Sequence, residues 1–509
     1  MATPEAVIEI GSTGVRLLVA ELSSDRKRTI LDRAEMPVSL GRDVFSHGYI
    51  SRETTLQCLH ILQRYKEQLV GWGITPEQTA VIATSAFREA KNKDPVMDKI
   101  YSSSGFRVKV IDGIEENRLM YLAITECLKA EDAELRQEDT VILEVAGGST
   151  ELMLMKQGKM AGAHSLRLGT VRLEPKLSKQ SGSFEDIQRY VKELTLNTKG
   201  SIESELNLEE VQQFVAVGSD ATLAAIHAGK PISTFLWSIE RKAFDKFVDE
   251  IQEYSIEEIV GRFKISFNDA QTLRISLLIY KMFIHLTNVK TIIVPETNIR
   301  EGLFLDRTNV PNEELKEEFH QQITASAMSL LKKYHGDVNH AEYVRSTSLK
   351  IYDKLLDEMN LDERSRLLLE IAAILHDIGI FIRLDDHNVH GAYIISHSEI
   401  FGLTHTEREI IAQIARYHRG KQQPQDQESF QILARSDRMR ILKLTAILRI
   451  ADALDRSHSQ GLTDLDITLK NEALIIRTKN SGNVALERIA LAEKGEMFES
   501  VFGYKLNLI

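Results

Sequence analysis

Two stretches of the chain carry residues whose types and spacing suit work on phosphate. AVIEIGSTGVRLLVAEL, residues 6 to 22, runs from an apolar strand through a Gly/Ser/Thr turn into a second apolar strand, and VILEVAGGSTELMLMK, residues 141 to 156, repeats the pattern. Both read as β-hairpins. Superposing Glu9 on Glu144 pairs Gly11 with Ala146, Ser12 with Gly147 and Leu17 with Leu152, at an offset of 135 residues. An offset of that length is no solenoid period; it predicts two similar α/β domains, each offering one loop to a shared ligand. The amides of Ser12, Thr13 and Gly14, and of Gly147, Gly148 and Ser149, are the candidate phosphate cradles, because small side chains let a backbone approach an anion and converge its N–H dipoles on it. A third stretch offers metal chemistry. Ten of the 15 histidines lie between His320 and His458, among them His376, which Asp377 follows directly. Imidazole together with carboxylate suits Mn, Fe or Zn better than Mg alone.

The elements that must position these residues alternate in the first 300 positions. Helical patterns (LQCLHILQRYKEQLVGWG, RLMYLAITECLKA) are interleaved with short strands (TAVIATS, FRVKVID), and two further strand-plus-loop units follow at 214–226 and 291–305. This is the grammar of an α/β fold. From about 313 to 460 helical patterns dominate, and the last segment reads as a small ββαβ tail. The predicted organisation is an α/β domain over 1–125, a second over 126–310, an all-α domain over 311–460 and an α+β tail over 461–509.

Composition narrows the classes. With 43% hydrophobic and 27% charged residues and only 9 Pro, the chain can build apolar cores. No apolar run reaches the roughly 18 residues that span a bilayer, which predicts no membrane insertion. Two cysteines, Cys58 and Cys127, cannot frame a chain of this size, and no basic and apolar leader precedes the first strand, so a cytoplasmic location is expected. The net charge of -11 speaks against specific nucleic-acid binding. One local reversal stands out, eight Lys/Arg against three Asp/Glu between Arg416 and Arg449, a stretch that could attract a polyanion.

Taken together, EIGSTGVRL, ATSAFREAKN, DGIEENRLMYLA, LEVAGGSTEL, SLRLGTVRLEP and NIREGLF stand in the order and approximate spacing of the exopolyphosphatase and guanosine pentaphosphate phosphohydrolase family, which the chain resembles over most of residues 6 to 306. The resemblance implies two domains of the actin, Hsp70 and sugar-kinase kind facing a cleft, and removal of a terminal phosphoryl group by water. It implies Glu116 of GIEEN as the base, with Glu115 structural, Arg88 holding phosphoryl oxygens, and Arg300, Glu301 and Gly302 as a closing motif. It also implies inorganic polyphosphate or guanosine pentaphosphate as substrate, the former placed first, and a homodimer. The chain departs from the family where Glu9 and Glu144 replace the usual Asp, where GSTG replaces GSNS, and where Ala146 replaces Gly. The extra methylene moves each carboxylate by up to about 1.5 Å, which predicts either a weakened site or, where the paired changes compensate, both charges kept for a hydrated Mg²⁺ held at slightly greater reach.

The helical domain resembles HD-type metal phosphohydrolases. The matching residues are His340, His376, Asp377, His390, His418 and Asp452, at spacings of 36 from His340 to His376, 13 from Asp377 to His390, 28 from His390 to His418 and 34 from His418 to Asp452. The resemblance implies His340, His376, Asp377 and Asp452 on one Mn, Fe or Zn ion, with His390 and His418 supporting a second; His387 and His397 are alternates for His390. Two other readings follow: a polyphosphate or nucleotide sensor that barely turns over, and a dual enzyme with a second phosphoester site.

Overall fold

The computed structural model describes residues 4–22, 28–130, 138–173, 184–308, 313–420, 424, 428–470, 472–478 and 484–509. The chain divides into two compact units, Met1–Lys316 and Glu317–Ile509. The expected boundary between residues 310 and 311 lies outside the described residues.

The first unit holds two sheets. One comprises β1 (Glu5–Ile10), β2 (Gly14–Leu22), β3 (Arg28–Pro37), β4 (Ala80–Ala83) and β5 (Val108–Val110), in the order β3-β2-β1-β4-β5. The other comprises β6 (Thr140–Val145), β7 (Thr150–Lys156), β8 (Lys159–Leu166), β9 (Gln213–Val217), β10 (Lys230–Pro231), β11 (Leu236–Glu240) and β12 (Thr291–Pro295), in the order β10-β11-β12-β9-β6-β7-β8. Read from β8, the second sheet repeats the first: two antiparallel steps, then two parallel ones, with β11 and β10 added at the far edge. This is the pair of similar α/β domains that the repeat predicted, in the actin-like form that the family resemblance implied.

The register makes the repeat concrete. Glu9 pairs with Arg16 across β1 and β2, and Glu144 pairs with Glu151 across β6 and β7. Each turn closes with one backbone bond, Gly11 N–H to Gly14 O at 2.9 Å and Ala146 N–H to Ser149 O at 2.9 Å. The central strands bury nearly every side chain: Ala6, Val7, Ile8 and Ile10 are inaccessible in β1, as expected of strands covered on both faces. The helix Gly113–Ala130 begins where Asp112 Oδ1 accepts the amide of Glu115 at 2.9 Å, a side-chain cap that starts the helix just before Glu116.

The second unit is built on Val338–Lys354, Arg364–Leu375, His387–His397, His405–Arg416 and Arg435–Ala453. The tail, β13 (Asp466–Lys470), β14 (Ala473–Arg477), the helix Ala485–Phe502 and β15 (Lys505–Leu508), belongs to the same compact unit. Its helix lies on Arg435–Ala453. Among the described residues no helix is long and apolar enough to cross a membrane.

Candidate active site

In the first unit, four carboxylates converge with three guanidinium groups. Glu116, in the first turn of Gly113–Ala130, is buried, and Arg88 Nη1 donates to its Oε1 at 2.6 Å. The same Arg88 nitrogen donates to Ile111 O at 2.7 Å, so the arginine is anchored to the backbone and fixes the carboxylate. Burial raises the Glu116 carboxyl above its ordinary range, with Arg88 opposing. Neighbouring Glu115 is forked by Arg118 at 2.6 and 2.9 Å, and Arg118 reaches on to Asp306 at 2.8 Å.

Glu9 is buried but its oxygens are occupied. Arg300 Nη1 donates to Oε2 at 2.5 Å and Arg16 Nη1 to Oε1 at 3.5 Å. Burial would raise its carboxyl; the two arginines outweigh it and hold the carboxyl low. Glu144 has the opposite surroundings. Burial first, then the charges of Glu116 and Glu9, push it up to about 8. A hard cation would relieve that crowding, and Mg²⁺ commonly takes one carboxylate plus substrate phosphate oxygens. By this test Glu144 fits a Mg²⁺ site and Glu9, engaged by two guanidinium groups, does not.

The two loops meet tip to tip. A Cβ on Gly147 would stand 3.2 Å from both Ser12 Cβ and Thr13 Cγ2, and a Cβ on Gly148 would collide with Ser85 and Phe45. Ser12 Oγ in turn lies 3.1 Å from Ser85 Oγ. The glycines are therefore required for the approach of the loops. Because Gly11 and Ala146 close the turns, the tip amides of Ser12, Thr13, Gly147 and Gly148 lie outside the closing bonds. Arg300, Glu301 and Gly302 do separate jobs. Arg300 holds Glu9, Glu301 accepts from Arg33 Nη2 and Thr297 Oγ1 at 2.7 Å each, and Gly302 packs so closely on the backbone of Leu119 that any Cβ would collide.

Two residues here escaped the sequence reading. Glu151 is buried, accepts from Ser165 Oγ at 2.8 Å and Asn117 Nδ2 at 3.2 Å, and is pushed well above the usual range by burial and by Glu116. The repeat held its signal: at the 135-residue offset, Glu151 corresponds to Arg16. Arg172, within the quoted SLRLGTVRLEP, donates to Gly148 O at 2.8 Å, forks Glu89 at 2.6 and 3.1 Å and stacks over Phe45. It ties the second loop to the first domain.

The second unit carries a separate cluster. His340, His376 and Asp452, then His340, Asp377 and His458, and then His376, Asp377 and His418 each bring donor atoms within 4.8 Å of one another, so the unit has the means to coordinate a metal ion. Burial drops His376 to about 4, leaving it neutral and able to ligate. Burial opposes charge on His340, but Asp452 and Asp455 raise it to about 9. One expectation needs correcting: His387, not His390, reaches the cluster, its Nε2 3.0 Å from Asp377 Oδ1. His387 is buried at the start of its helix, with Nδ1 2.8 Å from Leu384 O, whereas the three-residue step leaves His390 partly exposed. The sequence reading also missed Asp455, which holds His340 Nδ1 at 2.8 Å, and Lys494, paired with Asp452 Oδ2. The basic stretch is partly spent internally. Arg449 is buried and donates to Tyr417 O and Gly420 O, while Lys443 donates to Glu358 O and Met359 O.

The model of the Ppx/GppA phosphatase family matches residues 18–310, more than half of the chain. The chain belongs to that family. The family's domain III model matches residues 323–494, so the helical unit is that domain. A protein of Photobacterium profundum named guanosine-5'-triphosphate,3'-diphosphate pyrophosphatase is 23% identical over 468 residues, 89% of this chain and 88% of that one. A protein of the same name from Vibrio vulnificus is 23% identical over 456 residues, 87% of this chain and 86% of that one. Among solved structures, the Aquifex aeolicus Ppx/GppA member (24% identity, TM-score 0.51) covers 61% of this chain and 99% of its own. An exopolyphosphatase from Cytophaga hutchinsonii (18% identity, TM-score 0.53) covers 60% of this chain and 97% of its own. These two likenesses bear on the fold.

Proposed function

We propose that the first unit hydrolyses the terminal phosphoanhydride of guanosine pentaphosphate, with Glu116 as base. The observation that carries the chemistry is the Glu116 carboxylate, buried, raised above its ordinary range and fixed by Arg88. A carboxylate made more basic by burial is suited to taking a proton near neutral pH. Water attacks the terminal phosphorus, the bond to the bridging oxygen breaks, Glu116 takes the water's proton, and guanosine tetraphosphate and inorganic phosphate leave. Glu144 would hold a Mg²⁺ ion, which when bound neutralises phosphate charge. The tip amides of Ser12, Thr13, Gly147 and Gly148 orient the phosphates, and Arg172 keeps the second loop in place.

The substrate assignment reverses the order given by the motifs alone, which placed inorganic polyphosphate first. Relatives aligned over nearly the whole chain bear the guanosine pentaphosphate name, and they support that substrate for this chain. Polyphosphate remains the second reading because the motif order is shared. Phosphate release from the purified protein on each substrate, with Mg²⁺, is the test. Faster release from polyphosphate would restore the original order, and no release from either would favour a binding-only sensor.

A further inference from the structure

The second sheet parts one rung earlier than the first. In the first sheet β1 and β4 stay paired through Ile10 and Ala83, and the Thr84 amide goes on to donate to Ile10 O at 3.2 Å. At the 135-residue offset Ile10 corresponds to Val145, yet the pairing of β6 with β9 ends at Glu144 and Val217. A side chain takes over there. Tyr280, in the helix Phe267–Ile284, is fully buried, and its hydroxyl accepts the Val145 amide at 3.0 Å and donates to Val217 O. One phenol oxygen thus serves a strand-end donor and a strand-end acceptor that would otherwise be buried unpaired.

Val145 follows Glu144 and leads into the turn 146–149, so the phenol is fastened at the root of both. Gly218 turns away from the same oxygen at a φ of +115°, and a Cβ there would stand 3.5 Å from it and 3.9 Å from Glu144 Cγ. Burial raises the phenol well above its ordinary range, the Val145 amide opposing and the charges of Glu144 and Asp220 adding, so it stays a neutral hydroxyl with one proton to give. That proton goes to Val217. The phenol therefore holds the strand end that carries Glu144 without discharging the acid. The first hairpin has a buried tyrosine of its own, Tyr65, but its hydroxyl donates to Val15 O at 2.8 Å on β2, the strand after the turn and not the one that carries Glu9.

We propose that Tyr280 is a positioning residue for the cleft: it fixes the end of β6 and the root of the second loop, so that Glu144 is held in place for a cation. The proposal rests on Glu144 as the Mg²⁺ ligand. Tyr280→Phe removes the oxygen and keeps the ring, and Tyr65→Phe is its counterpart in the first hairpin. In buffer free of divalent ions, hydrogen exchange over residues 141–150 should quicken roughly tenfold or more in Tyr280→Phe and stay as it is in Tyr65→Phe. In a Mg²⁺ series read by phosphate release, Tyr280→Phe should raise the half-saturating Mg²⁺ about tenfold, with kcat at saturation within about threefold of wild type. A residue that only added stability would lower the melting temperature and move neither reading, which is the result expected of Tyr65→Phe. Unchanged exchange over 141–150, or an equal Mg²⁺ shift in the two variants, overturns the proposal. Glu144→Gln separates it from the reading beneath it. If Glu144→Gln shifts the half-saturating Mg²⁺ and Tyr280→Phe does not, the role of Tyr280 falls; if Glu144→Gln shifts nothing, Glu144 is no Mg²⁺ ligand, and the exchange comparison alone decides whether Tyr280 holds the strand end.

Discussion

The hairpins β1–β2 and β6–β7 share a turn, a register and a closing backbone bond, yet the charge facing each acid is reversed. Across from Glu9 stands Arg16, and Arg300 adds a second guanidinium. Across from Glu144 stands Glu151, and the charges of Glu116 and Glu9 act on it more strongly than those of Arg300 and Arg16. The first carboxyl is held low and the second is pushed to about 8. Two copies of one backbone motif have thus become a satisfied ion cluster and an unsatisfied one: Arg16 and Arg300 hold the first acid, while burial and the charges of Glu116 and Glu9 load the second.

Glu116 lies where the two environments meet, and its replacement gives the largest effect. Glu116→Gln keeps size and loses basicity, so kcat should fall by roughly 10²–10⁴ while substrate binding persists; turnover within tenfold of wild type would remove it from the base role. Next comes the satisfied hairpin. Glu9→Gln weakens charged bonds from Arg300 and Arg16 and should cost about 2 kcal/mol in denaturant unfolding. An unchanged midpoint would mean that the ion cluster contributes nothing net.

Glu144→Gln tests the unsatisfied hairpin and has the opposite sign. A carboxyl whose folded value lies above its ordinary 4.5 gives stability that is present at low pH and lost as pH rises toward about 8. In buffer free of divalent ions, the variant should match wild type near the bottom of that window and melt higher at its top. A gap that closes with rising pH contradicts the assignment. The smallest effect is expected for Glu151→Gln. Glu151 is already pushed toward its neutral form, so the amide should change stability by less than about 1 kcal/mol, whereas Glu151→Ala strands Asn117 and Ser165 at about 1–3 kcal/mol. Equal losses in the two would show that Glu151 carries charge.

Much of this contrast was readable in advance at the level of backbone and little at the level of charge. Apolar runs, Gly/Ser/Thr turns and the 135-residue offset are local, and they gave both hairpins and the doubled sheet. The partners that set each carboxyl are remote: Arg300 lies 291 residues from Glu9, and no spacing rule reaches that far. His387 and His390 show the limit differently. Residues three apart lie on one helix face, so the sequence could not choose between them; the choice depends on where the helix starts. Asp455 and Lys494 went unread because each meets its partner only after the chain has folded back over 115 and 42 residues.

The helix Ile299–Arg307 comes after the second sheet but returns to the first. Arg307 meets Glu5, Arg300 meets Glu9 and Glu301 meets Arg33, spans of 302, 291 and 268 residues. During synthesis at about 5–20 residues per second, roughly 15–60 s pass between the emergence of Glu9 and that of Arg300. Through that interval the N-terminal hairpin has Arg16 but lacks its second counter-charge. The two α/β halves are therefore not beads finished one after the other on the ribosome: the first is locked only when the second is nearly complete.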